Sequence, residues 1–401
     1  MGALQRRIAA VIGAAPALDH IETEGGLRAA VEGQPELSGL PCLTRLVVRG
    51  SAATDTLLRT AGASVLSVPI LTWAMRGNVR QERSRLAFYQ ELAEAADPQA
   101  AFPAPAADVR VTTLPAPRCT FRPPGGHVEM LRFDSPFAAI SPAVRGSYAA
   151  FSENRTAGAQ RWCHDDGPRP TLCVIHGFGA SPYWLNSAFF NLPWLYSHGY
   201  DILLYVLPFH GERQPKSVPF SGWGLFAHGL AHLNEAIFQA VYDFRVFVDH
   251  LMAQGVEQVA VTGLSLGGYV AALLAEVDDR LALSIPNSPV VSIGPLIRRW
   301  FPASLLVAGG AQLARVERGE LDRALAVHSP LTYKPLITPE RRMIIGGLGD
   351  RLAPPEQSRM LWEHWDHCRL HWFPGNHVLH FNRGVYLEEM LAFMRGMGFG
   401  A

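Results

Sequence analysis

Lysine is almost missing from this chain: Lys216 and Lys334 are the only two, and arginine supplies the rest of the 35 basic residues. Acidic residues also number 35, so the formal net charge is zero. Without a basic excess there is nothing to neutralise a phosphate backbone, and no nucleic-acid partner is expected. Cysteine is scarce too. Cys42, Cys119, Cys163, Cys173 and Cys368 are an odd set, with neither the paired spacing of a metal site nor a disulfide framework. Free thiols in a reducing, cytoplasmic setting are the simplest reading. No internal repeat is present. No long hydrophobic run is present either: the uncharged stretch Thr60 to Met75 is short and broken by Gly62 and Pro69. It reads as a buried core segment in preference to a membrane contact. Arg6-Arg7 followed by Ile8 to Ala17 is only faintly like a signal peptide, because the apolar part is short and Ala-rich.

What is there is enough apolar residue for a sizeable core: 48% of 401 residues, at a mean hydropathy of +0.08. That length suits one large α/β domain with an extension, or two domains. Val79 to Ala96 carries Leu86, Tyr89, Leu92, Ala93 and Ala96 at helical spacing. Asp97 to Ala107, with Pro98, Pro103 and Pro105, reads as a linker. From about residue 108, strands alternate with helices. Val128 to Phe133 and Ala159 to Cys163 are candidate antiparallel starting strands. Thr171 to Ile175, Asp201 to Leu207, Val256 to Thr262, Leu281 to Ile285, Arg342 to Ile345 and Arg369 to Trp372 follow. Leu230 to Gln254, Gly268 to Val277, Pro355 to His364 and Gly384 to Met394 read as helices between or after them. Such alternation predicts a mostly parallel sheet covered on both faces, with ligands beyond the carboxyl ends of its strands.

The most informative stretch is Val261-Thr262-Gly263-Leu264-Ser265-Leu266-Gly267-Gly268, between an apolar strand and an Ala/Leu-rich helix. Strand, G-x-S-x-G, helix is the pattern of a nucleophile elbow. Side chains at Gly263 and Gly267 would collide with neighbouring backbone in so sharp a turn. The turn lifts the Ser265 hydroxyl out of the sheet, and the new helix N-terminus offers N–H groups where an oxyanion would form. An ordinary Gly-rich turn is the plainer alternative.

A serine hydroxyl needs a base, and the base needs an orienting acid. The candidate acid is Asp350, after Ile344-Ile345-Gly346-Gly347-Leu348-Gly349, although a turn aspartate capping the next helix would look alike. The candidate base is His377, in the loop Pro374-Gly375-Asn376 after the last strand, with His380 in reserve. Oxyanion donors are expected at Leu266 and at Phe178, the latter in Ile175-His176-Gly177-Phe178-Gly179. His210 reads as structural, and Asp243 and Arg245 as a contact on a helix surface. His364 and His367 share a helical face, but nothing completes a metal site, and neither metal nor cofactor is expected.

Taken in order, HGFG, LPFHGER, GLSLGG, GGLGDRLAPP and GNHVLHF resemble the α/β-hydrolase superfamily over roughly residues 125 to 398. The resemblance implies an α/β-hydrolase fold: a mostly parallel sheet with helices on both faces, here with a helical N-terminal extension (1–105) and a catalytic region (106–401). A lid-like insertion is expected at about 289–338, where Leu296, Ile297, Trp300, Phe301, Leu305 and Leu306 cluster. It also implies a serine hydrolase acting on carboxylic esters, without a cofactor, through Ser265, His377 and Asp350. A thioesterase or acyltransferase would use the same residues. A non-catalytic scaffold is the reading from another class. Trp184, Phe209, Trp223 and Trp300 are candidate walls of an apolar acyl or aryl pocket, or else core residues. The expected partner is a small-molecule ester. The N-terminal extension, apolar on one face, is the expected place for packing against the hydrolase region or a second subunit.

Overall fold

The computed structural model describes residues 37–75, 79–117, 121–381 and 383–400. Cys119 and the segment Arg6 to Ala17 lie outside these residues. Nine strands form one sheet: β1 (Thr112–Pro115), β2 (Gly126–Asp134), β3 (Thr156–His164), β4 (Thr171–Ile175), β5 (Asp201–Tyr205), β6 (Val259–Leu264), β7 (Leu281–Asn287), β8 (Met343–Gly347) and β9 (Arg369–Phe373). Their spatial order is β1-β2-β3-β5-β4-β6-β7-β8-β9. β1, β2, β3 and β5 pair antiparallel in succession. From β5 through β4 to β9 every pairing is parallel. Every residue of β4 and of β5 is buried, as their unbroken apolar runs require of strands covered on both faces. β1 alone escapes sequence detection. It is short, fully exposed and ends in Pro115, the features of a protected edge strand.

Two apolar layers flank the sheet. One is built around the helix Leu230–Ala253 and takes in Ile175, Val261, Tyr269, Leu273 and Tyr333. The other joins the opposite strand faces to Tyr386, Met390 and Met394 of the helix Arg383–Gly396. The elbow helix, Leu266–Val277, is buried at every position from Gly267 to Val277.

The first described segments belong to this architecture. The helix Val79–Ala95 inserts Leu86 and Tyr89 into the first layer. The Tyr89 hydroxyl bonds Glu235 Oε1 at 2.6 Å, and Glu82 Oε1 accepts the Ala231 N–H at 2.9 Å. That places a carboxylate at the first turn of Leu230–Ala253, where the helix dipole favours it. The expected linker is corrected in part: Ala101 and Phe102 are buried, and Phe102 stacks edge-on against Phe238 and Tyr333. Aromatic anchoring outweighs the flanking prolines here.

Thr60 to Met75 is likewise not a buried core segment. It is the second half of a 34-residue helix, Cys42–Met75, in which only Ala63, Leu66 and Pro69 of that half are buried. Val65, Val68, Leu71 and Met75 are exposed. The hydroxyls of Thr56, Thr60, Ser64, Ser67 and Thr72 each bond the carbonyl four residues back, so polar side chains sit on the helix without needing outside partners. The helix is long and apolar enough to cross a membrane by length and composition. The insertion between β7 and β8 carries helices Ile293–Arg298, Ala303–Ala314 and Arg318–Ala326, and it packs on both N-terminal helices.

Candidate active site

Ser265 follows β6 with φ 58° and ψ −112°. A serine in this region is strained and persists only where the surroundings impose it. They do so here. A Cβ on Gly267 would lie 2.1 Å from the Ile175 carbonyl oxygen, and one on Gly263 would lie 2.5 Å from Gly267 backbone. Ser265 is pinned further by its N–H to Asn287 O at 3.0 Å, while its carbonyl accepts from Tyr269 N at 2.8 Å. Ser265 and Leu266 are half-buried, unlike Gly267 and Gly268 that follow them.

The loop after β4 comes close to this elbow. A Cβ on Gly177 would stand 3.6 Å from Ser265 Cβ, which puts the backbone leading into Phe178 beside the serine. His176 fixes that loop. Its Nδ1–H donates to Gly177 O at 2.8 Å and its Nε2 accepts from Leu207 N–H at 3.1 Å. Burial holds its pKa down at about 4, so the ring stays neutral in this bridging role. The sequence offered it only as part of HGFG.

Asp350 and His377 meet across the loops after β8 and β9. His377 Nδ1–H donates to Asp350 Oδ2 at 2.6 Å. Asp350 Oδ1 accepts from Leu352 N at 2.9 Å and Ala353 N at 2.8 Å. The carboxylate therefore closes its own turn with one oxygen and orients the imidazole with the other; it does not cap the next helix, Pro355–His364, whose N-cap position is Pro354. With Nδ1 protonated, Nε2 is left as the basic atom. Burial pushes the His377 pKa down, but the Asp350 charge, its hydrogen bond and the charge of Asp55 outweigh this and leave it raised. Among the described residues, no hydrogen bond joins Ser265 to His377. Catalytic hydrogen bonds of this kind often tighten only when substrate binds.

His380 is a different kind of residue. Its Nδ1 faces Tyr386 Oη at 3.1 Å, its Nε2 faces His377 O at 3.2 Å, and its ring lies on Phe373. Burial drives its pKa down to about 3. Both nitrogens are engaged in holding the loop. His210 is buried and bonded to Pro208 O, in line with a structural role. Asp243 is corrected: instead of a helix-surface contact, it is fully buried and bonds Arg213 Nη2 and Ser135 Oγ at 2.5 Å each.

The four aromatic pocket candidates separate. Phe209 is corrected to a core residue, packed edge-on against Phe151 and Tyr148. Trp184 is 72% exposed. Trp223 is half-buried against Phe220. Trp300 is half-buried beside the N-terminal helix, 3.8 Å from where a Gly62 Cβ would stand. An apolar cavity does exist close by. Ile70, Trp73 and Leu86 from the two N-terminal helices, Ile297 and Val307 from the insertion, and Phe226 from the short helix Trp223–Phe226 line it. Phe226 stacks against Phe178 at 5.4 Å.

Asp55 was missed altogether. It lies in the Cys42–Met75 helix, is fully buried, and its Oδ2 accepts the Arg351 N–H at 2.9 Å and the His377 N–H at 3.0 Å. The available signal was a lone carboxylate in the otherwise uncharged run Gly50 to Leu58.

No family model matches the chain. Two uncharacterised proteins from strains of Mycobacterium tuberculosis are each 33% identical to it over 261 residues. The match takes in 61% of this chain and 59% of theirs, so the chain spans somewhat more than half the length of these relatives. Among solved structures, an acetyl xylan esterase from Paenibacillus sp. R4 is similar with a TM-score of 0.53 at 14% identity. It covers 80% of this chain and 98% of its own. Acetyl xylan esterase 1 from Thermoanaerobacterium sp. JW/SL YS485 gives the same values. At that identity the likeness speaks for architecture alone. With the sheet order, the elbow after β6 and the Asp and His loops after β8 and β9, it makes this chain an α/β-hydrolase by fold.

Proposed function

We propose that the protein is a serine hydrolase that cleaves carboxylic esters with an apolar acyl or aryl group. The observation that carries this reading is the 2.6 Å bond from His377 to Asp350, on the same sheet edge as the strained elbow serine. His377 Nε2 takes the Ser265 proton as Oγ attacks the acyl carbon. The tetrahedral oxyanion is met by the N–H of Leu266, at the start of a 12-residue helix, and by that of Phe178 in the turn after β4. His377 then protonates the leaving alkoxide, which departs as the alcohol. A water enters and attacks the acyl carbon as His377 takes one of its protons; the acyl–Oγ bond then breaks, the acid leaves, and His377 returns the proton to Ser265 Oγ. Asp350 holds the productive tautomer and stabilises the imidazolium without being protonated itself. The cavity behind Phe178 and Phe226, apolar on nearly every wall, supports the apolar substrate class.

Fluorophosphonate labelling and a panel of activated aryl esters and thioesters test the reading. Ser265→Ala is expected to remove labelling and to lower ester turnover by at least about 10³-fold. His377→Ala should match it, and His380→Ala should be much milder. Wild-type turnover by the Ser265→Ala chain sinks the proposal. A clear preference for thioesters, or transfer to an added alcohol, would move the chain to the thioesterase or acyltransferase class with the same residues.

The base works only when neutral, so activity rises with pH through the His377 pKa. Because that pKa is held above its ordinary 6.5, the acid limb of the kcat/KM profile is expected above pH 6.5. A limb at or below that value contradicts the Asp350–His377 assignment.

A further inference from the structure

The loops carrying Asp350 and His377 are not held by the sheet alone. Gly349 N donates to Gly375 O at 2.7 Å, which joins the two loops to each other. Both then rest on the Cys42–Met75 helix. A Cβ on Gly349 would stand 2.6 Å from Ser51 Oγ and 2.8 Å from Val48 O. Asn376 Nδ2 donates to Ser51 O and to Thr54 Oγ1 at 2.8 Å each. At the centre is Asp55, whose single oxygen Oδ2 receives one N–H from each loop.

The other oxygen decides what this carboxylate is for. Asp55 Oδ1 is buried and has no hydrogen-bond partner. An unpartnered buried carboxylate oxygen is costly to a fold. Asparagine would place a carbonyl oxygen at Oδ2, keep both N–H bonds and avoid the buried charge. What aspartate adds over asparagine is therefore its negative charge, set at the backbone of the catalytic histidine. Desolvation raises the Asp55 pKa, as does the Asp350 charge; the two N–H bonds and His377 counter this in part and leave it raised. Arg59, one turn along the helix, faces Asp55 and Arg351. The titratable groups that act on the imidazole are thus Asp350, Asp55 and His380, the last kept neutral by burial, while Arg59 acts on Asp55.

We propose that Asp55 is a positioning residue of the active site, supplied from outside the hydrolase sheet. Its Oδ2 clamps the Asp350–Arg351 turn and the Asn376–His377 loop at a fixed spacing, and its charge joins that of Asp350 in stabilising the imidazolium formed during acyl transfer. This rests on the reading of Ser265 and His377 as nucleophile and base.

The test uses the full chain with Asp55→Asn and Asp55→Ala, beside His377→Ala. Thermal unfolding, kcat and KM on an activated aryl ester across pH, and the NMR titration of the His377 imidazole are measured. Asp55→Asn should fold, hold KM within about 2-fold and lower kcat by about 10-fold, because the loops keep their bonds but the charge is gone. Its acid limb and its His377 midpoint should both move to lower pH. Asp55→Ala should lose about 10-fold more, since the clamp goes too. A folded Asp55→Asn chain with wild-type kcat and an unmoved His377 midpoint overturns the proposal. So does an Asp55→Asn chain that cannot fold, which would assign the residue to the fold alone. The NMR titration decides the matter without turnover. An active His377→Ala chain defeats the nucleophile–base reading instead, whatever Asp55 does.

Discussion

The helix after the elbow and the long N-terminal helix are both apolar, yet they use that property in opposite ways. Leu266–Val277 is covered on every side, from Gly267 onward. Cys42–Met75 buries only seven of its residues: Val48, Ser51, Ala52, Asp55, Ala63, Leu66 and Pro69. Two of those seven are polar and hold the Asp350 and His377 loops, while Leu57, Leu58, Val65, Val68 and Leu71 face outward. Hydropathy thus reports the burial of the first helix and misreports that of the second. Apolar content and burial coincide only where an element is enclosed by others.

Three substitutions probe this contrast. Gly267→Ala should have the largest effect, about 3 kcal/mol of stability or more, because the new methyl has rigid Ile175 backbone in its place. Denaturant unfolding measures it, and a chain of wild-type stability would mean the elbow is not as tightly built as described. Leu66→Ala, on the buried stripe, should cost about 2 kcal/mol. Leu71→Ala, 46% exposed, should change stability by less than about 0.5 kcal/mol. Should Leu71→Ala prove as costly as Leu66→Ala, and the loss depend on protein concentration, the outward face is covered in solution by a second copy.

The same contrast explains what could be read in advance. Strands β4 to β9 were legible because each is an apolar run ended by glycine or proline turns. The elbow was legible because close backbone approach leaves Gly263 and Gly267 no alternative. Asp350 and His377 stood out because each follows a strand on the sheet edge where ligands bind. Asp55 did not, because its importance depends on contacts with residues 296 and 322 positions away, and no local periodicity encodes such a meeting. Phe209 misled for a related reason. It follows β5 toward the site, but positive φ turns it back into the core. Asp243 was misjudged because its partner, Arg213, lies in a turn 30 residues earlier.

The distance between Asp55 and its partners also bears on how the molecule is made. The Cys42–Met75 helix leaves the ribosome more than 300 residues before the His377 loop that rests on its inner stripe. Until that loop emerges the inner stripe is bare as well as the outer face, so a nascent chain carries an uncovered apolar helix through more than 300 residues of elongation, a state that favours association with other chains. Closing a contact across more than 300 residues comes late and slowly. Ordering of the His377 loop is then coupled to synthesis of the chain through β9, and a product truncated before β9 has no such loop for Asp55 to hold.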